Sequence, residues 1–80
     1  MKCTVKAFGI SRDIIGTREL VMEFPEGQTV GALKARLLEL YPRLGNLNSL
    51  FVALNSEYAE ANQPLCEGDE VALIPPVSGG

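Results

Sequence analysis

One stretch of this sequence has the period of a long amphipathic helix, and most of what surrounds it has the period of strands. Val30, Leu33, Leu37 and the Leu40-Tyr41 pair recur at the spacing that builds an apolar stripe. Lys34, Arg36 and Glu39 fall elsewhere on the wheel. Thr29 stands where an N-cap is needed, and Pro42 sets the end, because the residue before a proline disfavours helical geometry. Gly31 counts against such a helix, by up to about 1 kcal/mol relative to alanine. A single helix from Val30 to about Tyr41 covers one face of a sheet. The other face is then left to solvent or to a partner.

The flanking segments supply that sheet. Lys2–Phe8 alternates, with Cys3, Val5 and Ala7 on one face and Lys2, Thr4, Lys6 and Phe8 on the other. Gly9 ends it. Ser11 to Gly16 reads as one helical turn, with Ser11 as N-cap and Gly16 as a left-handed stop. Glu19–Phe24 alternates again, with Leu20, Met22 and Phe24 inward, and its short connection predicts a hairpin with the first strand. Pro25-Glu26-Gly27-Gln28 is turn chemistry.

Beyond the helix, Leu44–Ser49 reads as a loop and Leu50–Leu54 as a third, largely apolar strand. Asn55-Ser56-Glu57 turns the chain, and Tyr58–Asn62 has no clear period. A connector with a tight turn at Gly68-Asp69 leads to a last strand, Glu70–Ile74. There Val71 and Leu73 share one face, Ala72 and Ile74 the other. The order predicts an α+β fold, a mixed sheet of four to five strands with one main helix packed on one face. Residues 1–74 form the domain, and residues 75–80 an extended tail.

Several function classes are excluded at this stage. Eighty residues hold one small core. The formal net charge of −3 argues against nucleic acid or an anionic membrane as the main partner and fits a partner with a basic groove. No apolar run approaches the roughly 18 residues of a membrane helix. The first residues read as a strand rather than a signal peptide, so the expected compartment is the reducing cytoplasm.

There is no histidine, which removes the usual general base and the commonest metal ligand together. No metal site and no stand-alone enzyme is expected. Glu67, Asp69 and Glu70 surround a turn and read as a solvated corner. Cys3 faces the predicted core. Cys66 has acidic neighbours, whereas a reactive thiol needs a nearby cation or helix N-terminus. The internal glycines match no phosphate-cradling pattern.

What remains is the tail, Pro75-Pro76-Val77-Ser78-Gly79-Gly80, and the surface at its root. Paired prolines favour an extended run, and paired glycines add no side chain. A carboxylate on glycine, with no β-carbon beside it, threads through a channel one chain wide. Phe8 and Ile74 point outward by parity, and if their strands are neighbours they lie together on the uncovered face, with Tyr58 able to join. Single exposed apolar residues are ordinary. Two of them beside an extended tail read as a docking patch.

These residues resemble a family. The run Gly68-Asp69-Glu70-Val71-Ala72 leading into Pro75-Pro76-Val77, a small residue and Gly79-Gly80 is similar to the small, sulfur-carrying subunit of molybdopterin synthase. Supporting segments are Val5 to Gly16, the Pro25-Glu26-Gly27 turn before Thr29-Val30, Ala53-Leu54-Asn55 and Pro64-Leu65.

The resemblance implies a ubiquitin-like β-grasp fold. It implies that Gly80 is adenylated by an ATP-dependent activating enzyme, converted to a thiocarboxylate, and donates sulfur to a cyclic pyranopterin precursor. Gly79 gives clearance, and no cofactor is bound. The implied partner is the large catalytic subunit, in a heterotetramer of two small and two large chains. Phe8, Tyr58, Ile74, Pro75, Pro76, Val77 and Ser78 become its contacts. Relatives often carry an aromatic residue where this chain has Ile74, which makes the patch flatter, and Arg12 gains no role. Three rivals stand beside this reading: a sulfur carrier for thiamine thiazole synthesis, a ubiquitin-like protein modifier, and a plain binding domain.

Overall fold

The computed structural model describes residues 1–47 and 50–75. Asn48 and Ser49 of the expected loop, and Pro76 to Gly80 of the tail, lie outside the described residues. The elements in chain order are β1 (Lys2–Ala7), α1 (Gly9–Ile15), β2 (Glu19–Glu23), α2 (Val30–Leu40), a 3-10 turn (Pro42–Asn46), β3 (Phe51–Leu54), β4 (Glu57–Tyr58) and β5 (Glu70–Ile74).

The strands form one sheet in the order β2-β1-β5-β3-β4. β1 and β5 run parallel at its centre, and the other neighbours are antiparallel. The sheet is therefore mixed and five-stranded, with α2 as the main helix against one face, as the period analysis anticipated.

The core is what the alternation dictates. Cys3 and Val5 from β1, Val71 and Leu73 from β5, and Val52 and Leu54 from β3 point to one side and are buried. Val30, Leu33 and Leu37 of α2 meet them. Thr29 caps α2, its hydroxyl accepting the Ala32 N–H at 3.3 Å. The helix stops at Leu40, and Tyr41 leaves helical geometry with ψ 77° immediately before Pro42.

The first turn of α2 also takes partners from the irregular connector. Val30 N–H donates to the Gln63 carbonyl at 2.9 Å and Gly31 N–H to the Ala61 carbonyl at 2.8 Å. With Thr29, the connector thus satisfies three N–H groups that a helix start leaves unpaired. Gly31 has its reason here. A β-carbon at Gly31 would stand 3.0 Å from the Ala61 oxygen and 3.1 Å from the Ala61 β-carbon.

Four sequence expectations need correction. Ser11 is not an N-cap. The helix starts two residues earlier, at Gly9, and Ser11 is its fully buried third residue. Its hydroxyl accepts the Phe8 N–H at 3.1 Å and donates to the Phe8 carbonyl, so it ties down the cap position from inside the helix. Gly16 does stop the helix, at φ +88°.

The expected loop after Pro42 opens as the 3-10 turn, and Leu44 within it is buried because it closes the end of the core beneath α2. Glu57 and Tyr58 form β4 rather than turn and undefined chain. The two-residue Asn55-Ser56 turn has both φ values positive, at 49° and 74°, which matches the twist of paired strands. The tight turn before β5 lies one residue earlier than expected. Asp69 N–H donates to the Cys66 carbonyl at 3.1 Å, with Gly68 at φ +83° in the third position, where glycine is favoured.

Gly31→Ala separates propensity from packing. Helix propensity alone favours alanine by up to about 1 kcal/mol, but the contact with Ala61 makes the expected outcome a loss of about 1–3 kcal/mol. Chemical denaturation measures it. A stabilised variant would mean that the connector is not held against the helix.

Candidate docking face

Residues opposite one another across a strand pair share a face, so the registers define what the uncovered side presents. Lys6 lies beside Ala72, Ala72 opposite Ala53, and Ala53 opposite Tyr58. One step toward the C-terminal end of β5, Ile74 lies opposite Phe51. The β1–β5 register ends at Ala7 and Leu73. Carried one residue further, it brings Phe8 alongside Ile74.

Phe8, Ile74 and Phe51, with Tyr58 next to them, are thus gathered at the end of the sheet where β5 ends. Phe8 is 52% exposed, Phe51 55% and Tyr58 73%. Ile74 is half-buried because Phe51 and the β1 side flank it. The Phe51 and Tyr58 rings meet edge to face, with centroids 5.9 Å apart and planes at 76°. Such a contact is worth about 0.5–1.5 kcal/mol and fixes ring orientation.

Phe51 is the residue that sequence reading missed. Its signal was parity: in an antiparallel partner of β5, Phe51 falls on the face opposite Val52, but only the pairing with Ile74 makes that decisive. Phe51 also connects Tyr58 to the other two, since Tyr58 pairs with Ala53 and reaches Ile74 only through Phe51.

Phe8 is held by local structure. It precedes α1 with φ −127° and ψ 152°, an extended cap, and the Ser11 hydroxyl engages both its N–H and its carbonyl. The tail root is held as well. Pro75 is half-buried and runs past Gly9, close enough that a β-carbon there would stand 3.4 Å from the proline Cγ. The expected contacts Pro76, Val77 and Ser78, the expected reacting residue Gly80 and its neighbour Gly79 lie outside the described residues.

The rest of the face carries charged pairs together with the exposed Val21 of β2, opposite Thr4, and the small Ala72 and Ala53. Lys6 pairs with Glu70 at 3.4 Å and Lys2 with Glu23 at 3.8 Å, exposed pairs worth about 0–1 kcal/mol each. The acidic corner is more tied in than its composition suggested. Asp69 accepts from Cys66 N–H at 2.7 Å and from the Asn55 amide at 3.0 Å, while Glu67 accepts from Lys2 N–H at 3.1 Å.

Burial pushes the Cys3 thiol up from its ordinary value, and the Asp69 and Glu67 carboxylates add to this. It stays protonated and inert. Among the described residues no group of three His, Cys, Asp or Glu side chains is arranged to hold a metal, and no helix is long and apolar enough to cross a membrane.

Comparison with known proteins shows the family and the fold. Residues 5–80 match the ThiS family. A molybdopterin synthase sulfur carrier subunit from Chlamydomonas reinhardtii is 37% identical over 83 residues, spanning 100% of both chains. Among solved structures, SAMP1 from Haloferax volcanii superposes with a TM-score of 0.88 at 28% identity over 100% of both chains. A complex of subunits 1 and 2 of the molybdopterin-converting factor from Helicobacter pylori contains a chain with a TM-score of 0.71 and 30% identity, again over 100% of both. A ubiquitin from Caldiarchaeum subterraneum, 19% identical with a TM-score of 0.66 over 100% and 98% of the two chains, shares the fold alone. The architecture is the ubiquitin-like β-grasp.

Exposure and anchoring make opposite predictions for two kinds of substitution. Phe8→Ala should change the unfolding free energy by less than about 1 kcal/mol, since its side chain is half exposed, and Phe51→Ala by about 0.5–1.5 kcal/mol, since it also loses the ring contact with Tyr58. Ser11→Ala should cost about 1–3 kcal/mol, because buried partners lose their bonds. Thermal or urea unfolding tests both. Equal losses at Phe8 and Ser11 would place Phe8 in the core.

Proposed function

The chain belongs to the ThiS family, and from that premise we propose that it is the sulfur carrier subunit of a molybdopterin synthase. The observation that carries this reading is end-to-end similarity to sulfur carrier subunits, with the family match running through residue 80. The carrier is not an enzyme on its own. It works within a complex, as the paired subunits of the Helicobacter pylori converting factor do.

In this reading residues 1–74 are the docking body and residues 75–80 the working arm. The Gly80 carboxylate attacks the α-phosphate of ATP on an activating enzyme, releasing pyrophosphate. A sulfur nucleophile then attacks the acyl carbon, AMP leaves, and the C-terminus becomes a thiocarboxylate. No cofactor stays bound to the carrier. The charged arm enters the large catalytic subunit, where its sulfur passes to a cyclic pyranopterin precursor. Two carriers and two large subunits form the complex, in the cytoplasm.

Each part of the arm has a physical task. Pro75 and Pro76 keep it extended and lower the entropy lost on insertion. Val77 and Ser78 are the part of the arm that contacts the partner's channel. Gly79 and Gly80 keep side chains away from the acyl carbon. Phe8, Ile74, Phe51 and Tyr58 seat the body, so that docking strength and sulfur chemistry are set by different residues. A sulfur held as a thiocarboxylate never diffuses as free sulfide.

A second reading has one observation in its favour. The Haloferax volcanii neighbour is a small archaeal modifier protein, and a modifier would join Gly80 to a lysine amine instead of accepting sulfur.

Intact mass decides between the two. With ATP, an activating enzyme and a sulfide source, the protein should gain the mass of one sulfur replacing one oxygen. Deleting Gly79-Gly80 should abolish the gain and leave the melting temperature unchanged. Lysine conjugates without that mass gain would replace the carrier reading with the modifier reading. Full molybdopterin-forming activity of the truncated chain would remove both.

A further inference from the structure

Beside the apolar patch, on the α1 side of Phe8, the surface opens into a cleft of about 530 Å³. Lys6 of β1, Arg12 of α1 and Arg18 of the α1–β2 connection line it, together with Ala7, Phe8, Gly9 and Glu19. Three cations converge here on a chain whose formal net charge is −3. Lys6 already has a partner in Glu70 at 3.4 Å. Arg12 and Arg18 are exposed, and among the described residues neither guanidinium has a carboxylate within 4.0 Å or a side-chain hydrogen bond. Both also border a second, adjoining depression with Asp13 and Thr17.

We infer that the Lys6–Arg12–Arg18 cleft is the electrostatic half of the docking surface and receives a carboxylate-bearing segment of the large synthase subunit. This rests on the carrier reading above. Three observations select that occupant. The cleft shares Phe8 with the patch and Gly9 with the tail root, so any protein that covers the patch and takes in the tail covers the cleft too. Its charge is complementary to an acidic segment, and guanidinium groups match carboxylates with two parallel hydrogen bonds.

The cleft is also open, lined by exposed guanidinium groups rather than by buried polar side chains, which suits a segment of a partner more than an enclosed small anion. The remaining body, with its acidic corner around Glu67 and Asp69, carries the opposite sign. A surface that is basic at the tail root and acidic at the far end fixes the orientation in which a partner seats it. The apolar patch supplies adhesion without direction, and the cleft supplies direction.

The test uses the full chain and the purified large subunit, with titration calorimetry across a range of salt concentrations. The double variant R12Q/R18Q should bind about tenfold more weakly at low salt, with a flatter salt dependence than the parent chain. Arg12→Lys with Arg18→Lys should recover part of the loss, because the charge returns without the planar fork. Phe8→Ala should weaken binding with the salt dependence unchanged. The melting temperature of each variant controls for folding.

If the parent chain does not bind the large subunit at all, the carrier reading fails. If the parent binds and R12Q/R18Q matches it in affinity and salt slope, only the cleft assignment is overturned. Saturable binding of inorganic phosphate or ATP to the parent chain, lost in R12Q/R18Q, would likewise overturn it by assigning the cleft to phosphate.

Discussion

At the centre of the sheet Val5 lies beside Val71 and Ala7 beside Leu73, in a parallel ladder. That ladder joins the beginning of the described chain to its end, and the rest of the site follows from it. It sets Phe8 beside Ile74, and it aims the chain beyond Ile74 past Gly9. It also leaves α1 with Arg12, and Arg18 just after it, near the point where β5 ends. Parallel strands are normally buried on both faces. Here one face is covered by α2 and the other is not, and the uncovered end is where the aromatic side chains collect.

Stability and recognition are drawn from opposite sides of the same strands. Inward residues of β1, β3 and β5 close on Leu33 and Leu37 and hold the fold. Outward residues of those strands can then vary in character along the sheet without weakening it. They change from charged pairs at one end to aromatic rings at the other. The edges are managed differently. β4 is only two residues long, and β2 carries Glu19 and Glu23 at its ends, both of which discourage pairing with another chain.

The helix, its cap, its stop and the sheet alternation were legible because each is a local pattern with a fixed period or a fixed chemistry. Thr29, Pro42 and Gly16 did what their types do at those positions. What was hidden depends on contacts between distant segments. Ser11 looked like a cap because serine usually is one, but its burial lets the hydroxyl work from the helix interior on Phe8. Leu44 looked like loop because a 3-10 turn has no long period. Gly31 looked like a cost because Ala61, the residue that requires it, lies in a connector without regular structure. Phe51 and the meeting of Lys6, Arg12 and Arg18 needed the strand order, which no single segment encodes.

The central position of β5 has one more consequence, for the order of events as the chain is made. β5 is the fifth strand in sequence but the third across the sheet. Until residues 70–74 have emerged, β1–β2 and β3–β4 are two separate hairpins with no strand between them. Phe8 has no Ile74 beside it, and Phe51 has no partner in register. Non-local pairing of this kind comes late in folding. The docking face and the arm it serves therefore come into being together. A chain that lacks a paired β5 lacks the Phe8–Ile74–Phe51 part of the face, so that part of the proposed docking surface forms only when the sheet is complete.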